Sequence, residues 1–265
     1  MVNGEIMRVA LGLEYNGKDF CGWQSQPNGL GVQDALENAI QKIAIEPVRV
    51  HAAGRTDTGV HALMQVVHFE TTVSRPITAW VRGVNAHLPS AIRVLWAHMV
   101  GEDFHARFSA LQRSYQYVLL NQPQSSAIQF DRVGWYHLPL VLAPMQQAVA
   151  YLQGEHDFSA FRASECQAKS PVRHMSVAEV KQVGDYFIFD FSANAFLQHQ
   201  VRNMVGALIY VGVGKQPPES IQALLNQGDR TQSPPTFSPN GLYLSGVSYG
   251  TQWGLPNTQK QLTLI

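Results

Sequence analysis

The chain has 265 residues, of which 45% are hydrophobic, and its 19 Lys plus Arg balance 19 Asp plus Glu. That apolar share supplies a core and excludes disorder by composition. Zero net charge excludes indiscriminate nucleic-acid binding through overall charge, and leaves room for a local basic patch.

The first element is a strand. Met7, Val9, Leu11, Leu13 and Tyr15 alternate with Arg8, Ala10, Gly12 and Glu14, a period of two that predicts a half-buried strand. The turn-forming stretch DFCGWQSQPNG follows as a loop. Val32, Leu36, Ala39, Ile40 and Ile43 recur at helical spacing, which places their apolar side chains on one stripe. VRVHAA and QVVHFET read as strands on either side of a loop, GRTDTGVHA, at residues 54–62. Ile77, Trp80, Val81, Val84 and Leu88 predict a second helix, stopped near Pro89. Ile92, Val94, Trp96 and His98 alternate again.

The second half repeats this style. SYQYVLL reads as a strand, and Met145, Val149 and Leu152 as a helix ended by Gly154. HMSVAEVKQVGDYFIFDFSA reads as a hairpin turning near Gly184 and Asp185. Val201, Met204, Val205, Leu208 and Gly212 predict a helix, and Ile221, Leu224 and Leu225 a short one ended by Gly228. GLYLSGVSYG closes with a strand. QGDRTQSPPTFSPNG, residues 227–241, is a Pro/Ser/Gly-rich loop of the kind that often borders a site. The order predicts an α+β fold of two similar halves, 1–108 and 109–265, each a mostly antiparallel sheet with helices packed on one face.

Several chemistries lack their motif. No GxGxxG follows a strand. GVGK at 212–215 lacks the upstream glycine and the Ser/Thr of a phosphate loop, and reads as a helix C-cap. No HxE pairs with PCxxC, and GxSxG is absent. Cys21 and Cys166 stand far apart, with no zinc spacing, and read as free buried thiols in a reducing compartment. The amino-terminal stretch has no basic region followed by a long apolar core. The most apolar stretch, VGALIYVGVG, is shorter than the roughly 20 residues of a membrane span. The expectation is a soluble cytoplasmic protein that works without cofactor or metal, using carboxylate, arginine, tyrosine and histidine chemistry.

Charged residues are only 14% of the chain, yet Arg55 and Asp57 lie two apart in one loop. An aspartate in a loop most often caps a turn through its side chain. Here Arg55 is close enough to fix local geometry or hold a phosphate. Gly54 and Gly59 permit an unusual backbone or a close ligand approach, and strands on both sides would hold the loop.

GRTDTGVHA closely resembles the catalytic loop of the TruA family of tRNA pseudouridine synthases. Other segments resemble the family's motifs in matching order: YNGKDFCGWQ from Tyr15, GVQDALE from Gly31, QVVHF from Gln65, NAHLP from Asn85, FHARFSA from Phe104, RSYQY from Arg113, DFSAFR from Asp157 and FLQHQVRNMVG from Phe196. The matches span nearly the whole chain, and no major motif is broken.

The resemblance implies a pseudouridine synthase fold with a catalytic cleft between the two halves. It also implies isomerisation of uridine to pseudouridine at positions 38, 39 and 40 of the tRNA anticodon stem-loop, by a homodimer needing no cofactor. On it, Asp57 is the catalytic carboxylate, acting as nucleophile on the sugar or as base for an elimination; the residues leave both routes open. Carboxylates already serve at anomeric carbon in glycosidases. Arg202 matches the arginine that pairs with that aspartate, against its plain reading as a solvated residue on an amphipathic helix. Tyr115 matches the tyrosine that packs on the target base, against a core aromatic of a strand. Leu242 resembles the apolar residue lining the pocket's other side, with an ordinary core leucine as rival.

Flipping a stacked uridine costs a few kcal/mol, which phosphate contacts must offset. Candidates are Arg55, Arg107, Arg113, Arg82, Lys169 and Arg173. Two other readings remain at this level: a non-catalytic tRNA-binding or folding protein on the same scaffold, and a nucleoside hydrolase. The second lacks an evident metal cluster or second placed carboxylate.

Overall fold

The computed structural model describes residues 5–262. The chain forms two compact units. One runs to Leu111 and resumes at Leu244, and the other is Gln112–Tyr243.

In the first unit, β1 (Met7–Tyr15) is followed by α1 (Val32–Ala44), the short β2 (His51–Ala52) and the long β3 (His61–Thr71). A π-helical turn at Ala79–Gly83 then leads into α2 (Val84–His87), and β4 is Ile92–Val100. β1 is antiparallel to both β3 and β4, and β2 pairs with β3. The half-buried reading of β1 is corrected: Val9, Ala10, Leu11 and Leu13 are all buried. Small residues on the second face explain this. Gly12 lies opposite Trp96, whose indole occupies the space that a Cβ on Gly12 would take.

α1 starts where the Asp34 carboxylate accepts the Gly31 N–H at 2.9 Å, a reach-back bond that satisfies a free donor at the helix start. It buries Val32, Gln33, Leu36, Ala39, Ile40 and Ala44. Asn85 of α2 exchanges two 2.8 Å hydrogen bonds with the backbone of Val94, fastening that helix to β4.

In the second unit, β5 (Ala110–Asn121) pairs antiparallel with β9 (Tyr186–Ala193), β9 with β8 (Val172–Val183), and β8 with β7 (Gly154–Asp157). The three-residue β6 (Gly134–Tyr136) is parallel to β5. α3 (Leu142–Ala150) packs on β8 and on α4 (Gln200–Gly212), with α5 (Ser220–Gln227) beside it. β10 (Leu242–Tyr249) begins in this unit and runs on into the first.

The β8–β9 turn falls at Gly184 and Asp185, and Gly228 caps α5 at φ 66°. Gly154 does not end α3. That helix stops at Ala150 with Tyr151 as its cap, and Gly154 opens β7 at φ 96°. The two thiols are free, but only Cys166 is buried; Cys21 is half-buried beside the Asn28 amide.

Among the described residues, no helix is long and apolar enough to cross a membrane, and no group of three or more His, Cys, Asp or Glu is placed to hold a metal ion.

Candidate active site

The loop carrying Asp57 closes the β2–β3 hairpin, and it is tied down residue by residue. Ala53 N–H donates to Val66 C=O at 2.8 Å, extending the ladder one rung past β2. Gln65, wholly buried in β3, donates its amide to Gly54 C=O at 2.7 Å. Thr56 is held twice: its C=O accepts Trp23 N–H at 3.0 Å, and its hydroxyl lies 2.8 Å from the Tyr15 hydroxyl. Val60 N–H donates to Asp57 C=O at 3.1 Å, and the turn between them places Gly59 at φ 79°.

The preceding loop, residues 16–24, lies directly against this one. Gly22, at φ 82°, approaches so closely that a Cβ there would sit 2.8 Å from Thr56 C=O and 3.1 Å from the Asp57 carbonyl carbon. Gly17 donates its N–H to His61 Nδ1 at 3.1 Å. Each hydrogen bond is worth about 1 kcal/mol net, so several together hold the loop in one conformation. Asp57 is half-buried while Thr56 is buried and Arg55 exposed, so the carboxylate sits at the rim of a fixed backbone. Burial raises the Tyr15 phenol to about 12, against smaller opposing effects of its bonds to Thr56 and Gln65. It therefore stays protonated at any working pH.

Arg107 also belongs to this unit. It is exposed, with its guanidinium 5.7 Å from the Phe108 ring centre. Arg82 lies exposed in the π-helical turn.

Tyr115, Arg202 and Leu242 belong to the second unit. Tyr115 is buried in β5 opposite Phe191, and the ring of Phe196 meets it edge-on at 5.0 Å. Tyr117, two residues along the same strand face, is wholly buried and donates to Ser238 C=O at 2.9 Å. Arg202 stands in the first turn of α4, after His199 has entered the helix in a left-handed conformation at φ 62°. It is half-buried, and its Nε donates to Phe237 C=O at 2.9 Å. Its neighbours Val201, Met204 and Val205 are buried, as their spacing predicted. Leu242 is 5% exposed at the start of β10, where its N–H bonds to Pro239 C=O at 2.9 Å.

The loop at 227–241 thus joins Tyr117, Arg202 and Leu242. Its own anchor is Asn203, which sequence reasoning passed over. Wholly buried, Asn203 donates to Phe161 C=O at 2.7 Å and accepts from Thr236 Oγ1 at 2.7 Å and Arg230 at 3.1 Å. The available signal was an amide set among apolar helix residues, just as Gln65 is an amide in an apolar strand.

Among the remaining cations, Arg113 donates to Asn194 C=O at 2.9 Å. Arg173 is bonded to the carbonyls of Ser170 and Val172, at 2.9 and 2.6 Å. Lys169 is exposed in the loop before β8.

Comparison with known proteins gives a consistent result. Residues 13–109 and 148–250 match the family described as tRNA pseudouridine synthase. The protein named tRNA pseudouridine synthase A in Methylobacillus flagellatus is 63% identical over 258 residues, covering 97% of this chain and 99% of its own. Proteins of the same name in Dechloromonas aromatica and Nitrosomonas eutropha are 61% and 57% identical, covering 95% and 94% of this chain and 96% and 90% of theirs.

Proposed function

The chain belongs to the tRNA pseudouridine synthase family, and from that premise we propose that it isomerises uridines 38, 39 and 40 of the tRNA anticodon stem-loop, with Asp57 as the catalytic carboxylate. The observation that carries this reading is the fixed presentation of Asp57. Its loop is bonded at Gly54, at both the carbonyl and the hydroxyl of Thr56, and at its own carbonyl. A reacting group gains most from being held in position before the substrate arrives.

The reaction breaks the N1–C1′ bond with its electron pair going to N1. The uracil turns, C5 bonds to C1′, the C5 hydrogen leaves as a proton, and N1 takes a proton. Asp57 either bonds transiently to the sugar or removes a sugar proton. Residues 1–108 carry the carboxylate, and 109–265 carry the groups that hold the base. Tyr115 stacks on the uracil, Leu242 lines the pocket, and Arg202 takes the role of the arginine that partners the catalytic carboxylate. Arg55, Arg107 and Arg113 take phosphates. The same reading has the enzyme acting in the cytoplasm as a homodimer.

The test is tritium release from tRNA carrying uracil labelled at C5. The native chain releases tritium; Asp57→Asn releases none while still binding tRNA. Equal release by the variant removes Asp57 from its role, and no release by the native chain leaves only a tRNA-binding function. Arg202→Ala loses activity more than RNA affinity; the reverse makes it a phosphate contact.

A further inference from the structure

An aromatic stack lies at the far end of the hairpin that presents Asp57. The rings of His51 and His68 stack at 5.1 Å across the β2–β3 pair, His105 meets His68 edge-on at 4.6 Å, and Phe108 leans on His105 at 4.3 Å. The stack runs from a buried ring to an open one: His68 is 2% exposed and Phe108 76%. Phe108 does not dangle. His105 Nδ1 accepts the N–H groups of Arg107 and Phe108, at 3.1 and 3.3 Å, and the turn closes with Ser109 N–H on His105 C=O at 2.8 Å. The Arg107 guanidinium lies over the Phe108 ring.

We propose that Phe108, backed by His105 and flanked by Arg107, is a platform on which an unpaired base of the RNA stacks, a base other than the reacting uracil. This rests on RNA being the substrate, as proposed above. An exposed aromatic face held on an ordered turn loses little entropy when a flat partner lies on it. Rings with an arginine beside them suit RNA in particular, because the ring takes the base and the cation faces the backbone. The base cannot be the target uracil. Two paired rungs, Ala52 with Val67 and Ala53 with Val66, lie between the His51–His68 pair and the Asp57 loop, and the three residue steps from 51 to 54 span about 10 Å along the strand. A uracil bonded to the sugar at Asp57 does not span that distance and two further rings.

The experiment compares full-length native protein with Phe108→Leu and Phe108→Trp, measuring tRNA affinity by anisotropy, tritium release, and oligomeric state by sedimentation. Phe108→Leu should bind tRNA about 5- to 150-fold more weakly, the loss expected for one stacked base, and lose more in affinity than in kcat. Phe108→Trp, which keeps a flat face, should bind within about threefold of native. Native-like binding by the leucine variant overturns the platform, as does equal weakening by both variants. A changed sedimentation of the leucine variant overturns it too, and assigns the ring to contact with a second copy. If the native chain neither binds tRNA nor releases tritium, the functional reading fails first, and the platform with it.

Discussion

His68 makes stability depend on acid in a way that can be isolated. Burial, followed by the charges of His105, His51 and Arg8, lowers this imidazole from 6.5 to about 3. Its Nδ1 accepts Ala106 N–H at 3.1 Å, so the neutral ring carries its proton on Nε2. The folded state thus prefers the neutral form, while the unfolded chain takes up a proton near pH 6.5. The sign follows: the stabilisation is complete above pH 6.5 and is lost as pH falls toward the folded value. At pH 5.5 the unfolded imidazole is about nine-tenths protonated, which costs the native state about 1.4 kcal/mol relative to pH 8. For a protein of this size that lowers Tm by about 3–6 °C. His68→Gln keeps an acceptor for Ala106 and does not titrate. Thermal unfolding of both proteins at pH 8 and 5.5 cancels the other acid effects in the difference. The native chain should lose about 3–6 °C more than the variant; an equal loss in both refutes the claim that His68 is held neutral.

Two further substitutions test the anchors of the site. Gly22→Ala places a methyl in a left-handed conformation, 2.8 Å from Thr56 C=O; it should cost about 2 kcal/mol in urea unfolding and reduce kcat more than tRNA affinity, and unchanged stability and kcat would contradict the close approach of the two loops. Asn203→Ala removes three hydrogen bonds, to Phe161 C=O, Thr236 and Arg230; it should destabilise by about 3 kcal/mol, seen as a lower urea midpoint, and an unshifted midpoint would show that the network contributes nothing net.

The sequence by itself determined the elements whose signals are local. β1, α1, α4, α5 and the β8–β9 hairpin follow from periods of two or 3.6 and from turn residues, because side-chain direction along a strand or helix is set within a few residues. β6 and β7 escaped that reading. At three and four residues, they are strands only because a longer neighbour offers them a ladder. Gly154 misled for a related reason: a positive φ serves a helix end and a strand entry equally well.

At the candidate site, a motif of nine residues was enough to single out Asp57, since its neighbours in sequence carry the resemblance. What holds the aspartate was not legible. Tyr15, Trp23 and Gln65 reach Thr56 and Gly54 from positions up to 41 residues away, and no pattern in the chain marks those bonds. The histidines at 51, 68 and 105 are likewise unremarkable in sequence and stack only once β2 lies on β3 and the turn at 104–109 folds over both. Local sequence fixes which way a side chain points. Which groups share a low-dielectric interior, and so which protons and hydrogen bonds are held, is decided by long-range packing alone.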